Sequence, residues 1–184
     1  MKMTHTPEKI KIGISSCLLG NEVRYDGGHK RDTNIIDELG KYFDFVAFCP
    51  EVETGMGVPR KPIHLVRRGD EILALEIDNH ANDFTLQLEN FIAEKNSQIT
   101  ELCGFILKKN SPSCGLEDVQ IYGKKGTQHV PERTGEGIFA RMLKKQFPLL
   151  PLEDEGRLCE PALRNNFIER IDNYHKSKLK SDSR

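Results

Sequence analysis

The chain has 184 residues, with 27 Lys and Arg against 28 Asp and Glu, a formal net charge of -1 and 37% hydrophobic residues. That length suits one ordinary domain with a real core, and the balanced charge excludes a global pull toward nucleic acid or anionic membrane. No apolar stretch approaches the roughly twenty residues that cross a bilayer, and Met1 to Ile10 reads neither as a signal peptide nor as a transit sequence. A cytoplasmic location is expected, where thiols stay reduced. The five cysteines, odd in number and without paired spacing, disfavour a disulfide framework.

Taken in order, Ile10 to Ser15 reads as a first strand, followed at once by Cys17. Asn21 to Arg31 is a polar loop with a Gly-Gly turn signal. Ile35 to Tyr42 has a helical pattern, and Phe43 to Phe48 is a near-continuous apolar strand of the buried, parallel kind. Cys49 to Pro62 holds Pro50, Gly55, Gly57, Pro59 and Pro62, a density of breakers that predicts a long shaped loop. Ile63 to Val66 and Ile72 to Glu76 flank a turn and form a hairpin. Ala81 to Leu102 has the apolar period of one amphipathic helix, with Asn79 or Asn82 as its cap.

Cys103 to Leu107 reads as a third main strand, and Val119 to Tyr122 as a short one. Gly123 to Pro131 is a polar loop, Gly135 to Phe147 a helix, and Leu149 to Leu152 a brief last strand. Pro161 to Tyr174 is helical. The expected organisation is a flexible start over 1–9, one domain over 10–175 and a basic flexible tail over 176–184. Strands alternating with helices predict a single three-layer α/β domain with a mainly parallel sheet. Right-handed crossovers then gather the loops after the strands on one edge, where such sheets bind ligands.

Cysteine is often only a small buried hydrophobe. Cys17 and Cys49 lie one or two residues past strand ends, and Cys114 sits in the Ser111-Pro112-Ser113-Cys114-Gly115 loop beyond the third strand. Such polar, turn-rich surroundings are poor places for core fillers, so the three read as ligands converging at the sheet's C-terminal edge. Cys103 begins its strand and lies roughly 16 Å from that edge at about 3.3 Å per residue. It and Cys159 are assigned to structure. Three thiolates plus His29 would make a non-catalytic zinc module, although no close C-x-x-C pair exists. An iron-sulfur cluster fits three thiolates better, because it leaves one iron free for an exogenous ligand. A thiol redox protein would need the missing C-x-x-C arrangement.

Several motifs in order resemble the thiouracil desulfurase family of bacterial domains. They are Ser16-Cys17-Leu18-Leu19-Gly20, Val23-Arg24-Tyr25-Asp26-Gly27, Cys49-Pro50-Glu51-Val52, Gly57-Val58-Pro59-Arg60, Gly104-Phe105-Ile106-Leu107-Lys108, Ser111 to Gly115, and Gly135 to Ala140. The resemblance spans Ile10 to about Arg170 and implies an α/β fold. It also implies a [4Fe-4S] cluster on Cys17, Cys49 and Cys114 with one open iron, and non-redox replacement of a thiouracil sulfur by oxygen with release of sulfide. Such chemistry needs a proton acceptor for water. Glu51 is the candidate and Glu53 the reserve. Ser111 is a candidate to orient water or substrate, and Arg24, Tyr25 and Asp26 to contact the base. Free thiouracil, a thiouridine nucleotide and thiouridine in tRNA all stay open as substrates. Leu163 to Arg170 resembles the lead-in to a second domain carried by relatives that act on tRNA. The Lys108-Lys109, Lys124-Lys125 and Lys144-Lys145 pairs are candidate phosphate contacts.

Overall fold

The computed structural model describes residues 9–123 and 132–182. Strands β1 (Ile10–Ser15), β2 (Phe43–Phe48), β5 (Phe105–Leu107) and β8 (Leu152–Asp154) form one wholly parallel sheet in the order β2-β1-β5-β8. Helices α1 (Thr33–Leu39) and α6 (Pro161–Asp182) cover one face. There Ile12, Ile14, Phe43 and Ile106 of the sheet meet Ile35, Leu39, Phe167 and Ile171. Helices α3 (Thr85–Glu94), α4 (Asn96–Glu101) and α5 (Ile138–Gln146) cover the other, around a run of rings. Phe48 and Phe105 lie 5.2 Å apart, Phe105 and Phe139 5.6 Å, and Phe91 and Phe139 5.4 Å. The α/β/α layering expected of the sequence is present.

A second sheet, not anticipated as such, has the order β4-β3-β6-β7. It joins the hairpin β3 (Ile63–Arg68) and β4 (Glu71–Glu76) to β6 (Val119–Tyr122) and β7 (Glu132–Gly135), with only β3 and β6 parallel. Ile63, Leu65, Ala74, Val119 and Ile121 pack on Leu88 of α3 and Ile138 of α5, so these helices lie between the two sheets. On the opposite face of β3, the His64 and His80 Nε2 atoms are 2.9 Å apart, and the His64 ring packs on Tyr122.

Several expected boundaries shift for local reasons. Residues 50–62 are not all loop, because Pro50–Glu53 form a short helix, α2, with Pro at its favoured first position. The helix expected over 81–102 is two, separated at Lys95, and it starts late. Residues before it return to β4, with Phe84 N–H donating to Ala74 O, and Asp83 rather than Asn79 or Asn82 accepts the Thr85 N–H. Gly135 ends a strand instead of opening α5. The last strand comes later, at Leu152–Asp154. Helix α6 runs to Asp182, through most of the expected tail. The expected loop after Gly123 lies outside the described residues. No helix among the described residues is long and apolar enough to cross a membrane.

Gly13 lets β1 and β5 share this core, since a Cβ there would overlap the Phe105 ring. Gly13→Ala is expected to destabilise the protein by about 1–3 kcal/mol, as overpacked cores do. A lower urea midpoint at unchanged slope is the measurement that checks it. The His64 imidazole is held below its ordinary value of 6.5 by burial and by His80. Unfolding therefore takes up a proton below that value, and this contribution to stability, full above pH 6.5, is lost as pH falls. The urea midpoint of His64→Gln should fall less steeply than wild type as pH drops below 6.5.

Candidate active site

Parallel pairing brings the ends of four strands into one row. Ser15 pairs with Phe48, Ile14 with Ile106, and Leu107 with Asp154. Each strand then releases a turn. After β1, Ser16–Leu19 form a 3-10 turn closed by Gly20 at φ 97°, a left-handed conformation that favours glycine. Cys17 lies within it. Cys49 occupies the cap position of α2, where its N–H donates to Glu53 Oε1 at 2.7 Å. Beyond β5, the Ser111 hydroxyl accepts from the Ser113 and Cys114 N–H groups at 3.2 and 3.0 Å, a side-chain turn that fixes Cys114. Gly137, at the start of α5, lies so close beneath this loop that a Cβ would meet the Ser113 backbone.

Cys17, Cys49 and Cys114 all line one cleft of about 330 Å³. Cys17 and Cys114 are buried and Cys49 is half-buried. Burial pushes the Cys114 thiol well above its ordinary range and the Cys49 thiol up to about 11. It raises Cys17 too, against the opposing charges of Lys108 and Arg24. Bare thiolates are therefore disfavoured here, and their protons would be displaced by the positive charge of bound metal ions. The cleft lining as a whole carries Arg24, Lys30, Arg60, Lys108 and Lys109 against the single carboxylate of Glu51. This all-sulfur donor set in cationic surroundings fits an anionic iron-sulfur cluster.

The zinc alternative fares worse. His29 is exposed, does not line the cleft, and accepts the Arg31 N–H through Nδ1. Among the described residues, no three His, Cys, Asp or Glu side chains stand close enough to share one metal ion. A single ion needs ligands that meet at a point. Three thiols that line one cleft without meeting at a point would suit a cluster of several irons better than a single ion.

Glu51 lines the cleft with its carboxylate held from both sides. Arg60 Nε and Nη2 donate to Oε2 at 2.8 and 2.6 Å, and Ser113 Oγ donates to Oε1 at 2.7 Å. Glu53 does not line the cleft; it is bound to Cys49 N–H and, at 2.7 Å, to Lys95. Ser111, Arg24 and Tyr25 line the cleft, with the Arg24 guanidinium 5.3 Å from the Tyr25 ring centre. Asp26 does not, and serves as a turn acceptor for Gly28 N–H at 3.0 Å. Cys103 lies away from the cleft beside His175, 3.5 Å from Nδ1, and exposed Cys159 also stands outside the lining.

Three partners were not singled out from the sequence. Arg60 and Ser113 grip Glu51, and the Ser15 hydroxyl accepts Lys108 N–H at 2.9 Å beneath the cleft. A cation in a Pro/Gly-rich loop, nine residues after a candidate carboxylate, was the available signal for Arg60.

Residues 12–155 match a family model described as 2-thiouracil desulfurase. A curated relative, the uncharacterized protein YbbK of Bacillus subtilis (strain 168), is 32% identical over 143 residues, covering 73% of this chain and 89% of the relative. A solved structure described as [4Fe-4S]-dependent thiouracil desulfidase TudS superposes with a TM-score of 0.61 at 32% identity. That match covers 87% of this chain and 99% of the other. The chain belongs to the 2-thiouracil desulfurase family.

Proposed function

We propose that this protein replaces the sulfur of a thiolated uracil by oxygen, with Cys17, Cys49 and Cys114 holding a [4Fe-4S] cluster. The carrying observation is three buried or half-buried thiols on one cleft beside a fixed carboxylate. When bound, a cluster on three thiolates supplies one iron with an open position, a Lewis acid for a thiocarbonyl sulfur. The reaction balances as thiouracil and water giving uracil and hydrogen sulfide, with no electron consumed.

The chain's own residues then have distinct tasks. Glu51 accepts a proton from the attacking water, the work a carboxylate within hydrogen-bond reach performs. The Ser111 hydroxyl, already accepting two backbone N–H groups, retains its own proton to donate to water or a pyrimidine oxygen. Tyr25, backed by Arg24, offers a ring face at the mouth against which a flat base packs.

We further propose a nucleotide as the preferred substrate. Lys108 is ion-paired to Glu155 and Arg60 to Glu51, which leaves Lys30 and Lys109 as the lining ammonium groups for a phosphate. Of the lysine pairs, Lys144 is bound to Glu136 and Leu116 O, and Lys124-Lys125 lie outside the described residues. Cations within the cleft favour a compact phosphate over an extended RNA surface.

Anaerobically reconstituted protein is expected to release sulfide from thiouridine monophosphate, and Cys49→Ala to lose iron and all detectable release. No release from protein with its full iron and sulfide content would refute the reading. Lys109→Ala should raise KM for the nucleotide about tenfold, the loss of one charge-assisted contact, while KM for free thiouracil stays unchanged. Equal effects on both substrates, or faster turnover of thiolated tRNA than of the nucleotide, would overturn the nucleotide assignment.

A further inference from the structure

We infer that Arg60 is a positioning residue that saturates Glu51 Oε2 and so reserves Oε1 as the proton-accepting atom. The inference rests on the proposed role of Glu51 and adds which oxygen acts and what holds it.

Arg60 is only 7% exposed and Glu51 15%. A carboxylate offers about four acceptor positions, two on each oxygen. Arg60 Nε and Nη2 both donate to Oε2, which fills it. Ser113 Oγ takes one position on Oε1 from the other side. About one position therefore stays free, and it belongs to Oε1. Because the two donors grip different oxygens, the carboxylate cannot turn about its last bond without breaking one of them.

The grip also reaches the cysteine loops. Arg60 Nη1 donates to Val23 O at 3.0 Å and to Gly57 O at 2.9 Å, and Val23 O also lies 3.8 Å from the Cys49 sulfur. Ser113 immediately precedes Cys114 and is fully buried. The Arg60–Glu51–Ser113 chain thus ties the segment after Cys17, the helix after Cys49 and the loop before Cys114 to a single carboxylate. Lysine could supply the charge, but not a planar fork that bonds Glu51 and two carbonyls together.

The test compares wild type, Arg60→Lys, Arg60→Ala and Ser113→Ala after anaerobic reconstitution. Iron and sulfide are counted, kcat and KM are measured with a thiolated uracil nucleotide, and Arg60→Lys is crystallised. The expected result is near-complete cluster content in Arg60→Lys and Ser113→Ala. Their kcat falls about 10²-fold, the scale of a small misplacement of a reacting group, with KM within about twofold. Added guanidinium restores part of the kcat of Arg60→Ala, and the Arg60→Lys crystal shows the Glu51 carboxylate turned from its wild-type orientation. A merely structural Arg60 gives another pattern, with kcat falling only in proportion to iron and no rescue by guanidinium; that would overturn the inference. Wild-type kcat in Arg60→Lys would overturn it too, as would an unmoved carboxylate. Failure of the underlying reading is separate: Glu51→Gln would then keep wild-type kcat, or cluster-loaded wild type would release no sulfide.

Discussion

The parallel pairing of β1 with β2 on one side and β5 on the other is the constraint on which the site depends. Parallel strands point their carboxyl ends the same way, so three separate turns open onto one surface. An antiparallel partner in any of these places would send its cysteine to the opposite edge, where Cys103 lies. Registry matters as much as direction. Ser15 stands opposite Phe48, and its hydroxyl takes the first N–H beyond β5, that of Lys108, so the ends of β1 and β5 are locked together directly beneath the thiols.

Close packing turns that coarse arrangement into a fixed site. The rings of Phe48, Phe105 and Phe139 fill the space under the cleft, and Gly13 is the gap that admits Phe105. Gly137 plays the corresponding part for α5, whose first turn lies against the backbone of the Ser113–Cys114 loop and donates to it. A rigid floor is what a loop-borne site needs, since loops alone hold geometry poorly.

What the sequence made legible follows from range. The strands of the parallel sheet announce themselves by short apolar runs, and the cysteines by their position just past those runs. Both are local signals. Glu51 was legible because it stands two residues from a cysteine. Ser113 was not, although it adjoins one, because its partner is 62 residues away and nothing in its neighbourhood encodes that meeting. The second sheet escaped for a similar reason. Its parallel β3–β6 pair joins segments more than 50 residues apart, and β7 is a polar Glu-Arg-Thr-Gly strand with no apolar alternation to betray it. The late start of α3 comes from tertiary pairing with β4, which overrides the helical period there.

Charge explains why the same cleft holds both buried thiols and lysines. Three sulfurs raised by burial resist ionising together unless positive charge is brought to them. The lining supplies some of it, but not freely. Arg60 is committed to Glu51, and Lys108 to Glu155, so these two cations are held in place by carboxylates that partly cancel them. Arg24 lies 3.7 Å from Asp26, so the residual positive charge lies with Lys30 and Lys109. Fixed ion pairs and less committed lysines thus share one lining. In the proposed function the first group would set the shape around the cluster. The second would leave a field for the anionic substrate proposed above.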